Sequence, residues 1–217
     1  VLDCFSPIIA GKLLSTLPRG WTLVPIGRTT FKERKTAIKN ATAALVMGAP
    51  LNERLLVEAD NLLYIQKLGA GVDNIDLNYC REHNIGVGRL NAGNAIPVAE
   101  HTLMMMLAAS RQLVNFDKST RAGSWQKEIA RGSNQSVHGK TVGIVGLGAI
   151  GRQVAKLLCP FGVRLLYCDP VPAPQKLYRT LNLKKVDLDQ ILKLSDIITL
   201  HCPLNADTRN LIDKKAI

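Results

Sequence analysis

The stretch Lys140-Thr141-Val142-Gly143-Ile144-Val145 runs directly into Gly146-Leu147-Gly148-Ala149-Ile150-Gly151, and Ala149–Leu158 continues with helical patterning. A strand, a Gly-x-Gly-x-x-Gly turn and a helix in that order suit a dinucleotide pyrophosphate. Gly146 permits the tight turn, Gly148 lets backbone approach the phosphates, and Gly151 lets the helix pack closely on the sheet. The helix N-terminus adds unpaired N–H groups and the positive end of its dipole. A second strand, Val163–Tyr167, leads to Asp169, 18 positions past the last glycine. That is near the spacing of about 20 for an acid that binds the adenosine ribose. Such an acid repels a 2′-phosphate, and Pro170–Pro174 contains no arginine to receive one, so NAD is favoured over NADP. A second glycine pair, Gly69-Ala70-Gly71, follows the strand-like Leu62–Leu68. On its residues alone it reads as a plain turn or as a nest of N–H groups for a carboxylate.

Strand and helix patterns alternate around these motifs, as in parallel α/β sheets. Val1–Cys4, Trp21–Ile26, Ala43–Met47, Leu62–Leu68 and Ile85–Gly88 read as strands, with helices at Ile8–Leu17, Phe31–Lys39, Asn52–Ala59 and Leu77–His83. A long helical run is expected over Asn94–Phe116, with Pro97 in its first turn, then an irregular arm over 120–138. Alternation resumes with Thr141–Val145, Ala149–Leu158, Val163–Tyr167, Leu188–Leu194 and Ile197–His201, and Thr208–Ile217 reads as a loop entering a helix. The expected fold is α/β with two doubly wound parallel-sheet domains: a flavodoxin-like substrate domain over 1–91 and an incomplete Rossmann NAD-binding domain over 92–217. Both chain ends read as cut, because Val1–Cys4 opens inside a strand pattern and no strand follows the last helix pattern.

With 217 residues, 47% hydrophobic and 21% charged, the chain has the composition of an ordinary globular protein. No apolar run nears the roughly 18 residues of a membrane span, and no secretory signal pattern opens the chain, so a cytoplasmic location is expected. The net charge of +11 is spread as +3, +3 and +5 over residues 1–95, 96–140 and 141–217. A spread excess with few interleaved aromatics argues for anionic small molecules and against nucleic acid. Five cysteines without a Cys-x-x-Cys pair read as reduced, buried thiols, and no metal site is expected. The Met104-Met105-Met106 stripe reads as helix core, and Trp125 either anchors a partner subunit or packs on its own domain. His83, His101, His138 and His201 read as packed or solvated histidines rather than catalysts.

Taken together, Gly69–Asp76, Asn91-Ala92-Gly93-Asn94 with Val98-Ala99-Glu100-His101, the glycine triplet, and His201-Cys202-Pro203-Leu204 with Thr208 resemble the D-2-hydroxyacid dehydrogenases in order and spacing. The resemblance is to the branch holding D-3-phosphoglycerate dehydrogenases, glyoxylate and hydroxypyruvate reductases, and related transcriptional corepressors. It implies an oxidoreductase moving hydride between NAD and a small D-2-hydroxy or 2-keto acid, acting as a homodimer. Gly69, Ala70 and Gly71 would hold the substrate carboxylate, with Ala70 also near the cofactor. Gly146, Gly148, Ala149, Ile150 and Gly151 would take the pyrophosphate, Asp169 the ribose, His201, Cys202 and Pro203 the adenine side, and Val98 the nicotinamide. The segment Asn91–Arg121 would cross between domains and help form the dimer. The arginine, glutamate and histidine that perform the family's chemistry would fall after the position of Ile217, so this chain is assigned no catalytic residue and, alone, no turnover. An NAD(H)-responsive interaction protein of corepressor type is the competing reading.

Overall fold

The computed structural model describes residues 1–27, 29–90 and 93–216, so Asn91 and Ala92 of the proposed motif and domain boundary lie outside the described residues. Two compact units divide the chain, Val1–Asn91 and Ala92–Ile217.

In unit 1, β1 (Ala43–Val46), β2 (Tyr64–Lys67) and β3 (Gly86–Arg89) form a parallel sheet in that order. Helices α3 (Glu53–Leu56) and α4 (Leu77–Glu82) make the connections, and α1 (Pro7–Ser15) and α2 (Phe31–Ile38) precede the sheet. Side chains of Ser6, Thr30 and Asp76 accept N–H bonds at the starts of α1, α2 and α4, each a cap of about 1 kcal/mol. Ile38, Val46, Leu51, Leu55, Leu56 and Ile65 form the core.

Val1–Cys4 and Trp21–Ile26, expected as strands, have no strand assigned and join no ladder. Val1 N donates to Val24 O, Leu2 N to Leu45 O and Cys4 Sγ to Gly27 O. The first segment therefore lies between the second and β1, beside the three-stranded sheet. Two local features end the pairing early: Pro25 has no N–H to contribute, and Asp3 turns its carboxylate to the amides of Met47, Gly48 and Ala49.

Unit 2 opens with α5 (Ala95–Ser110), α6 (Leu113–Arg121) and α7 (Lys127–Ser133). The single run expected over Asn94–Phe116 is broken at Gln112, which takes a left-handed φ of 49°. Its end is held by Gln135 N donating to Ser110 O and Gln112 Nε2 donating to Ser133 O. The arm expected to be irregular contains α7, whose few apolar residues give little periodicity.

The second sheet is parallel, in the order β6 (Lys184–Lys185), β5 (Arg164–Cys168), β4 (Thr141–Val145), β7 (Ile197–Leu200). Helices α8 (Ala149–Leu158), α9 (Gln175–Leu181) and α10 (Leu188–Leu194) link the strands. Neither α9 nor β6 was expected: the helix starts abruptly after Pro174 and the strand has two residues. Alternation along the strands sorts side chains to two faces. Val142, Ile144, Leu165 and Tyr167 pack with Val154, Ala155 and Leu158 of α8, whereas Val145 and Leu166 pack with Ile191 of α10. Each fully buried aliphatic contributes about 1.5–3 kcal/mol. At Gly143 a Cβ would lie 2.8 Å from Ile191 Cγ2, so glycine lets α10 approach. Residues 208–216 form turns, with no helix assigned among them.

Met106 is buried, but Met104 and Met105 are 49% and 54% exposed, since three consecutive helical residues cannot share one face. Of the five cysteines only Cys80 is buried; Cys4 and Cys159 are exposed, Cys168 and Cys202 half-buried. Burial and the neighbouring Asp76 push the Cys80 thiol up, and burial together with Asp169 and Asp187 does the same to Cys168. Alkylation at neutral pH, followed by peptide mass mapping, should modify Cys159 and Cys4 well before Cys80, because the thiolate is the reacting species. Equal rates at all three would contradict this packing.

Candidate functional site

In unit 2 the chain runs from β4 to one side through β5 and β6, then crosses back to β7 on the other. The switch therefore falls between β4 and β7, where open α/β sheets bind ligands at the strands' carboxyl ends. Gly146 follows β4 and His201-Cys202-Pro203 follow β7. The two loops touch: Gly146 has φ +91°, and a Cβ there would lie 2.6 Å from Cys202 N and 2.7 Å from His201 C. At Gly151 a Cβ would meet Gly146 O at 2.2 Å, which fixes how closely α8 sits on the turn.

Gly148 differs from both. Its φ of −71° and ψ of −157° are open to any residue, and a Cβ there would find no protein atom within 4 Å. Among the described residues no protein acceptor is found for the N–H groups of Gly148, Ala149, Ile150 and Gly151. Four orphan donors at the start of a ten-residue helix, beside a glycine facing open space, fit a pyrophosphate. Next to them a cavity of about 660 Å³ is lined by Ala149, Arg152, Gln153, Lys156 and Lys176, among others. Three cations on its wall suit a polyphosphate.

The turn is held rigid from two sides. Leu147 N donates to Asp169 Oδ2 at 2.6 Å, and Arg152 Nε donates to Leu147 O at 2.9 Å. Asp169 Oδ1 also accepts from Val171 N at 2.8 Å. Asp169, expected from its spacing as the ribose acid, thus braces the glycine turn, and Arg152 is a positioning residue that sequence reasoning missed. Its place one residue past the last glycine was the available signal.

His201 N donates to Val145 O, and His201 Nε2 lies 2.9 Å from Thr199 Oγ1. Burial pushes the imidazole below its ordinary value, which keeps it neutral. Val98 is half-buried on α5, where its carbonyl accepts from Thr102 Oγ1.

In unit 1, Gly69-Ala70-Gly71 follows β2. Among the described residues no acceptor is found for their three N–H groups, while Gly69 O accepts from Leu90 N and Ala70 O from Arg89 Nη1. A buried lysine sets this loop. Lys67 Nζ donates to Met47 O and, at 2.6 Å, to Asn74 Oδ1, and Asn74 Nδ2 donates to Ala49 O. The loops after β1 and β2 are thereby tied together, a link that sequence spacing did not reveal.

Two outcomes follow. Gly148→Val should melt as the parent does yet lose NADH binding in a fluorescence titration, whereas Gly151→Ala should lose about 1–3 kcal/mol of stability because its Cβ has no room. Equal destabilisation of the two would contradict the cradle. His201 has a folded-state pKa below its unfolded value of about 6.5, so below about pH 6.5 the unfolded chain binds more protons and stability falls as pH drops. Melting temperatures from about pH 8 down to about pH 5 should decline less for His201→Gln; parallel curves would remove His201 as the cause.

A family model described as D-isomer specific 2-hydroxyacid dehydrogenase, NAD binding domain, matches residues 103–217. D-3-phosphoglycerate dehydrogenase of Mycobacterium leprae is 35% identical over 182 residues, covering 83% of this chain and 34% of the relative. Hydroxypyruvate reductase of Thermotoga maritima is 37% identical over 163 residues, covering 75% of this chain and 51% of the relative. The crystal structure of D-lactate dehydrogenase from Aquifex aeolicus, complexed with NAD and lactic acid, superposes with a TM-score of 0.75 at 30% identity, over 84% of this chain and 54% of that one. The chain thus spans between a third and a little over half of these relatives. It belongs to the D-isomer specific 2-hydroxyacid dehydrogenase family and carries that family's NAD-binding domain.

Proposed function

We propose that the protein carrying these residues is an oxidoreductase that transfers hydride between NAD and a small D-2-hydroxy or 2-keto acid. The observation that carries this reading is the open backbone at Gly148, set at the β4–β7 switch point and braced by Asp169. Gly146, Gly148, Ala149, Ile150 and Gly151 take the pyrophosphate, and Asp169 accepts from the ribose hydroxyls and repels a 2′-phosphate, which favours NAD. His201, Cys202 and Pro203 line the adenine side and Val98 the nicotinamide. Bound NAD supplies the hydride acceptor. Gly69, Ala70 and Gly71 direct N–H groups to the carboxylate that such substrates share.

A homodimer and a cytoplasmic location belong to the same proposal. The dimer is supported by a groove of about 600 Å³ beside α6 and α7, lined in part by Leu113, Phe116 and Trp125. Trp125 is 78% exposed, with Leu113 and Ile129 also exposed, and aromatic anchors of this kind are enriched at interfaces. No helix among the described residues is long and apolar enough to cross a membrane.

NADH oxidation should be followed with glyoxylate, hydroxypyruvate and 3-phosphohydroxypyruvate. The resemblance puts the proton-transferring residues past position 217, so residues 1–217 alone should bind NADH without measurable turnover, a loss of at least about 10²–10⁴-fold. Robust turnover by residues 1–217 would show that the acid–base lies within them. Absence of turnover from the family's full-length chain with every keto acid would overturn the proposed activity.

A further inference from the structure

Unit 1 contains a second cavity, of about 410 Å³, lined by Asp3, Thr29, Arg34, Pro50, Asn52 and Arg54, among others. Asp3 lies in the segment Val1–Cys4, Thr29 follows the segment Trp21–Ile26, Arg34 is on α2, and Pro50, Asn52 and Arg54 follow β1. The bonds from Val1 N to Val24 O and from Leu2 N to Leu45 O set the first segment between the second and β1, so the chain moves to one side of the first segment and then crosses back to the other. The cavity thus lies at the carboxyl ends of the strand positions flanking the switch point of its own sheet, the place where such sheets bind ligands.

Its wall contains an unusual group. Arg34 occupies the buried face of α2 one turn before Ile38 and is only 5% exposed. Its guanidinium makes one hydrogen bond among the described residues, from Nη2 to Pro50 O at 2.5 Å, and its buried Nε has no partner. Nor does it form an ion pair among the described residues. Asp3 lines the same cavity, but its oxygens accept from Met47, Gly48 and Ala49 N–H groups at 2.5, 3.0 and 2.9 Å. Asp3 acts on the Arg34 guanidinium through space without an ion-pair contact, so the group has one neutral acceptor, an unmet Nε donor and only distant charge compensation, and leaving donors unmet inside a protein is costly. Arg54 is a second cation on the wall, its guanidinium held 4.5 Å above the Phe31 ring.

We propose that this cavity binds a small oxyanion, the phosphate or carboxylate of a metabolite, on the guanidinium groups of Arg34 and Arg54. The planar fork of each arginine matches two oxygens of such a group, and Asn52 adds an amide at the rim. The site lies outside Gly69–Gly71 and outside the dinucleotide-binding residues, so it adds a second anionic ligand to those already assigned.

Inorganic phosphate and acetate should each be titrated against the parent chain in thermal melts, with chloride at matched ionic strength as control. Amide NMR shifts at Thr29, Asn52 and Leu55 would report the place of binding. Saturable stabilisation by either anion above chloride, with shifts at those three residues, is expected, and the stronger response separates a phosphate from a carboxylate site. Arg34→Leu should remove these shifts, and Arg54→Gln, which alters an exposed part of the wall and serves if the first variant misfolds, should weaken the midpoint roughly tenfold, the loss of one charge-assisted bond. No response to either anion beyond chloride would overturn the proposal. So would stabilisation undiminished in both variants, which would place the anion elsewhere.

Discussion

Unit 2 depends on the two backbone polar groups of one residue, Leu147. The N–H of Leu147 is taken by Asp169 and its carbonyl by Arg152, so the glycine turn is clamped across its middle before any ligand arrives. On one side of that residue Gly146 lies against the His201–Cys202 backbone, and on the other Gly151 lies against Gly146 O. With both flanks in contact, the N–H groups from Gly148 onward have little freedom to turn away. Ligand binding then need not order the loop, which is where preorganisation gains affinity.

Unit 1 uses ionic groups, Asp3 half-buried and Lys67 buried, for a related purpose. Asp3 gathers three successive amides of the Met47–Ala49 loop, and Lys67 with Asn74 fastens that loop to the one carrying Gly69–Gly71. Lys67 is compensated by these acceptors, so its burial is consistent with a scaffold role. Arg34, similarly buried, makes a single hydrogen bond and leaves its Nε without a partner among the described residues. The two cations look alike in a count of buried charges and differ in what surrounds them.

The glycine turn was legible in the sequence because its chemistry is local: strand, triplet, helix and acid sit within about thirty residues, and each imposes a residue type. Thr141–Val145, Ala149–Leu158 and Leu188–Leu194 accordingly appear in the structure with the expected bounds. What escaped depends on partners distant in the chain. Val1–Cys4 has strand composition, but Asp3 reaches an amide nest more than forty residues away and leaves the ladder. The break at Gln112 is held by residues 133–135, and α7 and α9 have too few inward apolar positions to show a period. Arg34 was hidden for another reason: in Lys32-Glu33-Arg34-Lys35 it reads as one of several solvated charges, and only the packing of α2 turns it inward.

The distribution of acids and bases at the strand ends follows a common logic in both units. Asp3 and Asp169 each give oxygens to loop amides, and this use shapes the loop. A carboxylate has about four acceptor positions, so Asp169, with two of them taken by Leu147 and Val171, retains room for two ribose hydroxyls. Cations line both cavities, Arg152, Lys156 and Lys176 the one and Arg34 and Arg54 the other, and none of the five forms an ion pair among the described residues. A net charge of +11 spread evenly along the sequence is therefore not even in space where ligands would bind. Carboxylates neutralised by amides build the turns, and unneutralised cations remain beside them to attract phosphates and carboxylates.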